Sequence, residues 1–150
     1  MTKTMKVFCY GILMADEVLQ ALLGRVPVRR PARLRGYRRF QAPERTYPGV
    51  VEAPGSDVDG IALLGIEQRE AEILDDFEGD EYAKKTVEVD LIDDAGETVA
   101  ANVYVFLNNP GERPWDYQEF REKHLQSFLQ MTSEYIEEEK GKERGIGSLY

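Results

Sequence analysis

The chain has 150 residues, 42% of them apolar and 31% charged, which is the size of one ordinary domain and too apolar for disorder. One cysteine, Cys9, and one histidine, His124, exclude an internal disulfide and a zinc site of the usual Cys/His type. A net charge of −9 repels phosphate backbones overall, which disfavours a nucleic-acid partner.

Lys6–Tyr10 (K-V-F-C-Y) is a short apolar run ending at Gly11 and predicts a buried strand. Asp16 precedes E-V-L-Q-A-L-L, a short helix with Asp16 as N-cap and Gly24 as its stop. Val28–Phe40 is arginine-rich and interrupted by Pro31 and Gly36, which predicts one or two irregular strands at an edge or bend. From residue 24 to 45 there are eight arginines (25, 29, 30, 33, 35, 38, 39 and 45) against one acid, Glu44. That segment is +7 and the remainder −16. The expectation is that these arginines decorate strands and pair with acids elsewhere; a nucleic-acid contact is the alternative.

Tyr47–Gly55 holds two prolines and two glycines in nine residues and predicts a loop around a short strand. Val58–Ile66 is strand-like. Gln68–Phe77 is helical, with Ile73, Leu74 and Phe77 on one face and Gly79 past its end. Ala83–Leu91 alternates as a half-buried strand, Asp94-Ala95-Gly96 turns, and Val99–Phe106 pairs back as a hairpin. After a Pro110–Pro114 loop, one long amphipathic helix is predicted from Trp115 to Lys140. Its stripe is Tyr117, Phe120, His124, Phe128, Met131 and Tyr135, which must bury against the sheet or offer a face for an oligomer. Residues 1–140 thus form one domain, and 141–150 a flexible tail. The order does not repeat as βαβ, so a mixed curled sheet or small barrel with outer helices is expected. No run of eighteen apolar residues predicts a membrane span, and the first residues lack a signal-peptide core. With the lone thiol, the expected location is cytoplasmic.

Motifs for serine hydrolases, Walker loops and dinucleotide folds are absent, as is any D-x-D-x-D-G calcium loop. His124 lies three residues from Ser127 but on the apolar stripe, which fits packing better than a triad. Cys9 inside V-F-C-Y reads as a small buried hydrophobe. Two segments remain. Tyr10-Gly11-Ile12-Leu13 places a glycine where a strand ends: either a plain strand-to-loop glycine, or a turn whose backbone N–H groups hold a carboxylate. Leu74-Asp75-Asp76-Phe77-Glu78-Gly79-Asp80-Glu81-Tyr82 is either an acidic helix end or the carrier of a general base. Glu78, beside Phe77, would have its pKa raised from about 4.3 toward neutrality.

These residues resemble the γ-glutamylcyclotransferase-like family, most closely its plant-type avirulence-induced branch. The similarity runs through V-F-C-Y-G-I-L, L-x-G-Y at Leu34–Tyr37, Tyr47–Val51, V-D-G at Val58–Gly60, L-D-D-F-E-G-D-E-Y at Leu74–Tyr82, and K-K-T-V-E-V at Lys84–Val89. V-Y-V-F and the Trp115–Phe120 helix entry complete it, over roughly residues 5 to 140. The resemblance implies an α+β fold, a small mixed β-barrel with flanking helices. It implies a cyclotransferase of acyl-transfer type, in which the α-amine of a γ-glutamyl compound attacks its own γ-amide and releases 5-oxoproline and an amine. Glu78 would be the acid/base; Tyr10, Gly11, Ile12 and Leu13, continued by Met14 and Ala15, would form the carboxylate-binding loop, and Tyr82 the pocket wall. No cofactor or metal is implied, and the partner is a small γ-glutamyl substrate. Ile12 stands where the family carries Ser or Thr. A non-catalytic carboxylate-binding module on the same scaffold is the alternative.

Overall fold

A computed structural model describes residues 3–94 and 96–143. The strands are β1 (Met5–Cys9), β2 (Arg29–Gln41), β3 (Pro48–Ile66), β4 (Tyr82–Leu91) and β5 (Thr98–Phe106). The α-helices are α1 (Asp16–Leu23), α2 (Gln68–Glu78), α3 (Tyr117–Lys123) and α4 (Leu125–Glu143). The strands close into a barrel in the order β1-β3-β2-β4-β5, sealed by a parallel β1–β5 contact at Val7 and Asn102. This is the small barrel with outer helices that the element order predicts.

Strand β1 is apolar on both faces because both faces are buried. Phe8, with Tyr10 just beyond the strand, points into the barrel beside Leu34, Val50, Val89 and Val103. Val7 and Cys9 point outward into a second core shared with Leu19, Leu22, Leu63, Leu74 and Phe120. The barrel interior is therefore filled, and free space must lie between its wall and the helices.

Several elements differ from the sequence reading. The Tyr47–Gly55 segment is not a loop; it opens the 19-residue β3, which pairs with β2 from Gln41↔Pro48 to Arg29↔Leu63. Pro54 and Gly55 mark the bulge where the register jumps between Arg35↔Asp57 and Tyr37↔Glu52. Arg29–Gln41 is one continuous 13-residue strand rather than an edge, because barrel closure supplies partners on both sides. Asp16 is not the N-cap of α1: Ala15 holds that position without a side-chain bond, and Asp16 pairs with Arg29 instead. The long C-terminal helix bends at His124, where φ −126 leaves helical geometry. The bend lets Phe128 pack edge-on against both Phe120 (5.8 Å) and Phe77 (5.7 Å). Helix α4 extends to Glu143, so residues 141–143 of the expected tail are helical; 144–150 and Ala95 of the predicted turn lie outside the described residues.

The arginines pair largely as expected. Arg25 forks onto Glu70 (2.6 and 2.7 Å), Arg30 meets Asp93 (2.9 Å), Arg33 meets Asp59 (2.7 Å), and Arg35 meets Asp90. No helix among the described residues is long and apolar enough to cross a membrane.

Candidate active site

Between the barrel wall and α2 and α4 lies a cavity of about 300 Å³. Its lining brings together the turn after β1, the end of α2, and Tyr82 at the start of β4.

Glu78 is the last residue of α2. Ala71 and Leu74 are buried, and Glu78 follows them at the spacing of one helix stripe, so it faces inward while Asp76 and Glu72 face solvent. Gly79 then adopts φ +73, a left-handed turn open to glycine, and redirects the chain toward β4. Among the described residues the Glu78 carboxylate has no hydrogen bond or ion pair, and every fully buried side-chain polar atom has a partner. Its oxygens must therefore open onto the cavity. Surrounding protein pushes its pKa up from 4.5 to about 8, with desolvation as the cause.

The turn after β1 presents backbone. Tyr10 sends its side chain into the barrel, where its hydroxyl donates to the Tyr104 carbonyl at 2.6 Å. Ile12 and Leu13 bury theirs in the helix-side core. The Met14 and Ala15 N–H groups close a tight turn onto the Gly11 and Ile12 carbonyls at 2.9 and 3.0 Å. The N–H groups of Gly11, Ile12 and Leu13 have no acceptor among the described residues. A row of such donors is the arrangement that holds an anion without a cationic side chain. Ile12 keeps its N–H, so the missing hydroxyl removes one polar group and leaves the row intact. Gly11 is needed for close approach: a Cβ there would sit 2.5 Å from Pro48 Cγ. Gly11→Ala should displace the turn and, for a carboxylate held by its N–H groups, lower affinity by up to about a hundredfold for a 1 Å shift. Titration with 5-oxoproline on a folded variant checks this; unchanged affinity would remove the turn from the site.

Glu78, Tyr10, Gly11, Ile12, Leu13 and Tyr82 all line the one cavity. Met14 and Ala15 do not. Met14 leans on the helix-side core, and Ala15 is fully buried as the cap of α1, because the tight turn carries the chain away into that helix. Tyr82 donates to the Pro48 carbonyl at 2.7 Å, fixing the wall rather than offering a free hydroxyl. Sequence reading missed Tyr47, Glu81, Tyr104 and Thr132. Tyr47 donates to Glu81 and accepts from Arg45 Nε at 2.8 Å; Tyr104 donates to Asp75 Oδ1 at 2.7 Å. Tyr47 sat in a segment read as a loop, and Tyr104 is indistinguishable by pattern from any inward strand residue. Phe128 and Met131 were visible as helix-stripe residues but not as cavity wall. His124 packs on Phe120 at 6.3 Å away from the cavity, and the buried Cys9 thiol is pushed up by desolvation. Among the described residues no three His, Cys, Asp or Glu side chains converge on a metal position.

A closed five-stranded barrel flanked by helices is the architecture of the gamma-glutamyl cyclotransferase fold. A solved structure described by that name superposes with TM-score 0.62 over 71% of this chain and 68% of its own; at 18% identity the likeness is one of fold alone. The chain belongs to the family described as gamma-glutamyl cyclotransferase, AIG2-like, whose model matches residues 7–122. AIG2-like protein D of Arabidopsis thaliana is 38% identical over 135 residues, covering 88% of this chain and 89% of that protein. The solution structure of another Arabidopsis thaliana protein superposes with TM-score 0.68 at 30% identity, over 89% of this chain and 91% of its own.

Proposed function

We propose that the protein is a cyclotransferase that closes the γ-glutamyl moiety of an amide to 5-oxoproline and releases the amine. The observation that carries this is an unpartnered carboxyl, Glu78, sharing one cavity with three unspent backbone N–H groups. The substrate brings its own nucleophile, so the protein needs only to hold it folded and move a proton. Orientation contributes on the order of 7–11 kcal/mol at best, and a positioned base roughly 10²–10⁴-fold.

In this reading the N–H groups of Gly11, Ile12 and Leu13 hold the α-carboxylate. Ionised Glu78 takes one proton from the α-ammonium. The freed lone pair attacks the γ-carbon, and the γ-oxygen becomes an oxyanion. As the carbonyl re-forms, the bond to the departing nitrogen breaks; that nitrogen keeps the electron pair and takes the proton held by Glu78. The ring nitrogen sheds its extra proton to water. Beyond Glu78 the wall is aromatic and aliphatic, with Phe77, Phe128 and Met131 beside Glu81 and, among the described residues, no lysine or arginine in the lining. A carboxylate on the departing amine would meet Glu81 there, and the nearby Arg45 is already engaged, donating to Tyr47 at 2.8 Å and lying 4.0 Å from Glu81.

The test is 5-oxoproline release from a panel of γ-glutamyl amines and γ-glutamyl amino acids. Turnover of at least one is expected. Binding of 5-oxoproline without turnover across the panel would make the chain a carboxylate-binding module; no binding would remove both readings. The pH profile is a second check. The base works ionised, so kcat/KM should rise with pH and level off above about 8, the value for the free protein. The kcat profile should turn at lower pH, because a bound α-ammonium favours the ionised carboxylate.

A further inference from the structure

Of the eight clustered arginines, Arg39 is the one that binds the peptide leading into the Gly11 turn; Arg45 reaches the cavity through Tyr47, and Arg29 holds the Met14 carbonyl beyond the turn. Arg39 Nη1 donates to the Tyr10 carbonyl at 2.8 Å, and its guanidinium lies 5.4 Å from the centre of the Trp115 ring. That ring is itself fixed, since Trp115 Nε1 donates to the Thr46 carbonyl at 2.8 Å. Arg39 forms no salt bridge among the described residues. The acids whose charge reaches it are committed elsewhere: Asp116 accepts from the Glu119 N–H at 2.8 Å, and Asp59 from Arg33 at 2.7 Å. The half-buried position of Arg39 pulls its pKa below the ordinary arginine value, with no paired acid among the described residues to offset the partial loss of water.

The Tyr10 carbonyl and the Gly11 N–H are two ends of one peptide group. The peptide is trans, so its N–H points opposite to its carbonyl. Fixing the carbonyl against Arg39 directs the Gly11 N–H away from Arg39, and Gly11 lines the cavity. The guanidinium charge also polarises that peptide, drawing electron density toward the carbonyl and strengthening the N–H as a donor. A positive charge thus stands behind a loop that has no cationic side chain of its own.

We propose that Arg39 is a positioning residue for the substrate's α-carboxylate, acting through the Tyr10–Gly11 peptide from behind the cavity wall. The inference rests on the reading that the turn holds a carboxylate, and it adds the residue that aims and charges that turn. Touching no substrate atom, Arg39 should affect ligands that carry the carboxylate and spare those that do not.

Binding of 5-oxoproline and of 2-pyrrolidinone, the same ring without its carboxylate, is to be measured by NMR titration on wild type, Arg39→Met and Arg39→Lys. Methionine keeps most of the packing on Trp115 and removes charge and donor. The expected result is a loss of about tenfold or more in 5-oxoproline affinity for Arg39→Met, the scale of one charge-assisted hydrogen bond. Affinity for 2-pyrrolidinone should stay within about twofold. Arg39→Lys, which keeps a charged donor, should fall between wild type and Arg39→Met for 5-oxoproline. Should Arg39→Met not fold, the wild type against Arg39→Lys comparison carries the same prediction with a smaller loss. Equal 5-oxoproline affinity in wild type and variant would overturn the role of Arg39 and leave the carboxylate reading standing. Equal loss of both ligands would overturn it too, by showing a merely structural effect. No binding of 5-oxoproline to wild type would overturn both.

Discussion

Replacing Glu78 by glutamine should lower kcat/KM for 5-oxoproline release by roughly 10²–10⁴-fold, the usual worth of a positioned base. Glutamine matches the shape of glutamate and cannot take a proton from an α-ammonium. The activity that remains measures orientation by the turn alone. Stability supplies an internal control. Glu78 titrates at about 8 in the folded protein and near 4.5 as an ordinary carboxyl, so the folded state favours its neutral form. The stability tied to that form is fully present below pH 4.5 and is lost progressively as pH rises from there to about 8. Glutamine stays neutral throughout. Glu78→Gln should therefore match wild type in Tm at pH 4 and exceed it by several degrees at pH 9. A variant that is inactive yet more stable in alkali cannot owe its inactivity to misfolding. Equal activity in the two proteins would remove Glu78 as the base.

Gly60→Ala should cost about 3 kcal/mol of stability, a fall in Tm on the order of 10 °C. Gly60 sits on β3 opposite Ala32, one residue before Ile61, which pairs with Cys9. A Cβ there would run into the Cys9 carbonyl oxygen and come within 3.0 Å of Phe8 Cζ. Neither neighbour can yield cheaply. The carbonyl belongs to the backbone that seals β1 to β3, and Phe8 is 1% exposed in the barrel interior. Moving either disturbs the strand that delivers the turn to the cavity. A denaturant midpoint close to wild type would show that the barrel relaxes more freely than its packing implies.

Much of this was legible in the chain itself, for identifiable reasons. Strand β1, helix α2 and the β4–β5 hairpin announce themselves because local pattern and tertiary burial agree there. The same agreement marks Glu78: it closes an apolar helix stripe and is followed by a glycine. Where local signals and the global fold pull apart, the sequence misleads. Prolines and glycines in β3 argue for a loop, but in a closed barrel they shape a bulge in a long strand. The continuous stripe from Tyr117 onward argues for a straight helix, but aromatic packing around Phe128 bends it at His124. Arg39 was hidden for another reason. Eight arginines in one segment look alike by composition, and only the fold shows that Arg38 and Arg39 meet carbonyls instead of acids, and that the carbonyl Arg39 meets belongs to the Gly11 turn.

The filled barrel and the external cavity divide the protein into parts that mutation can alter separately. Glu78 closes helix α2 and the Gly11 turn leaves strand β1, and both elements pack in cores that tolerate little change. Phe128, Met131 and Thr132 belong to α4, which closes the cavity from the far side, and Met131 is 62% exposed. In the proposed reaction, drift along that helix would exchange one departing amine for another while Glu78 and the Gly11 turn stay untouched, so paralogues would be expected to diverge there first.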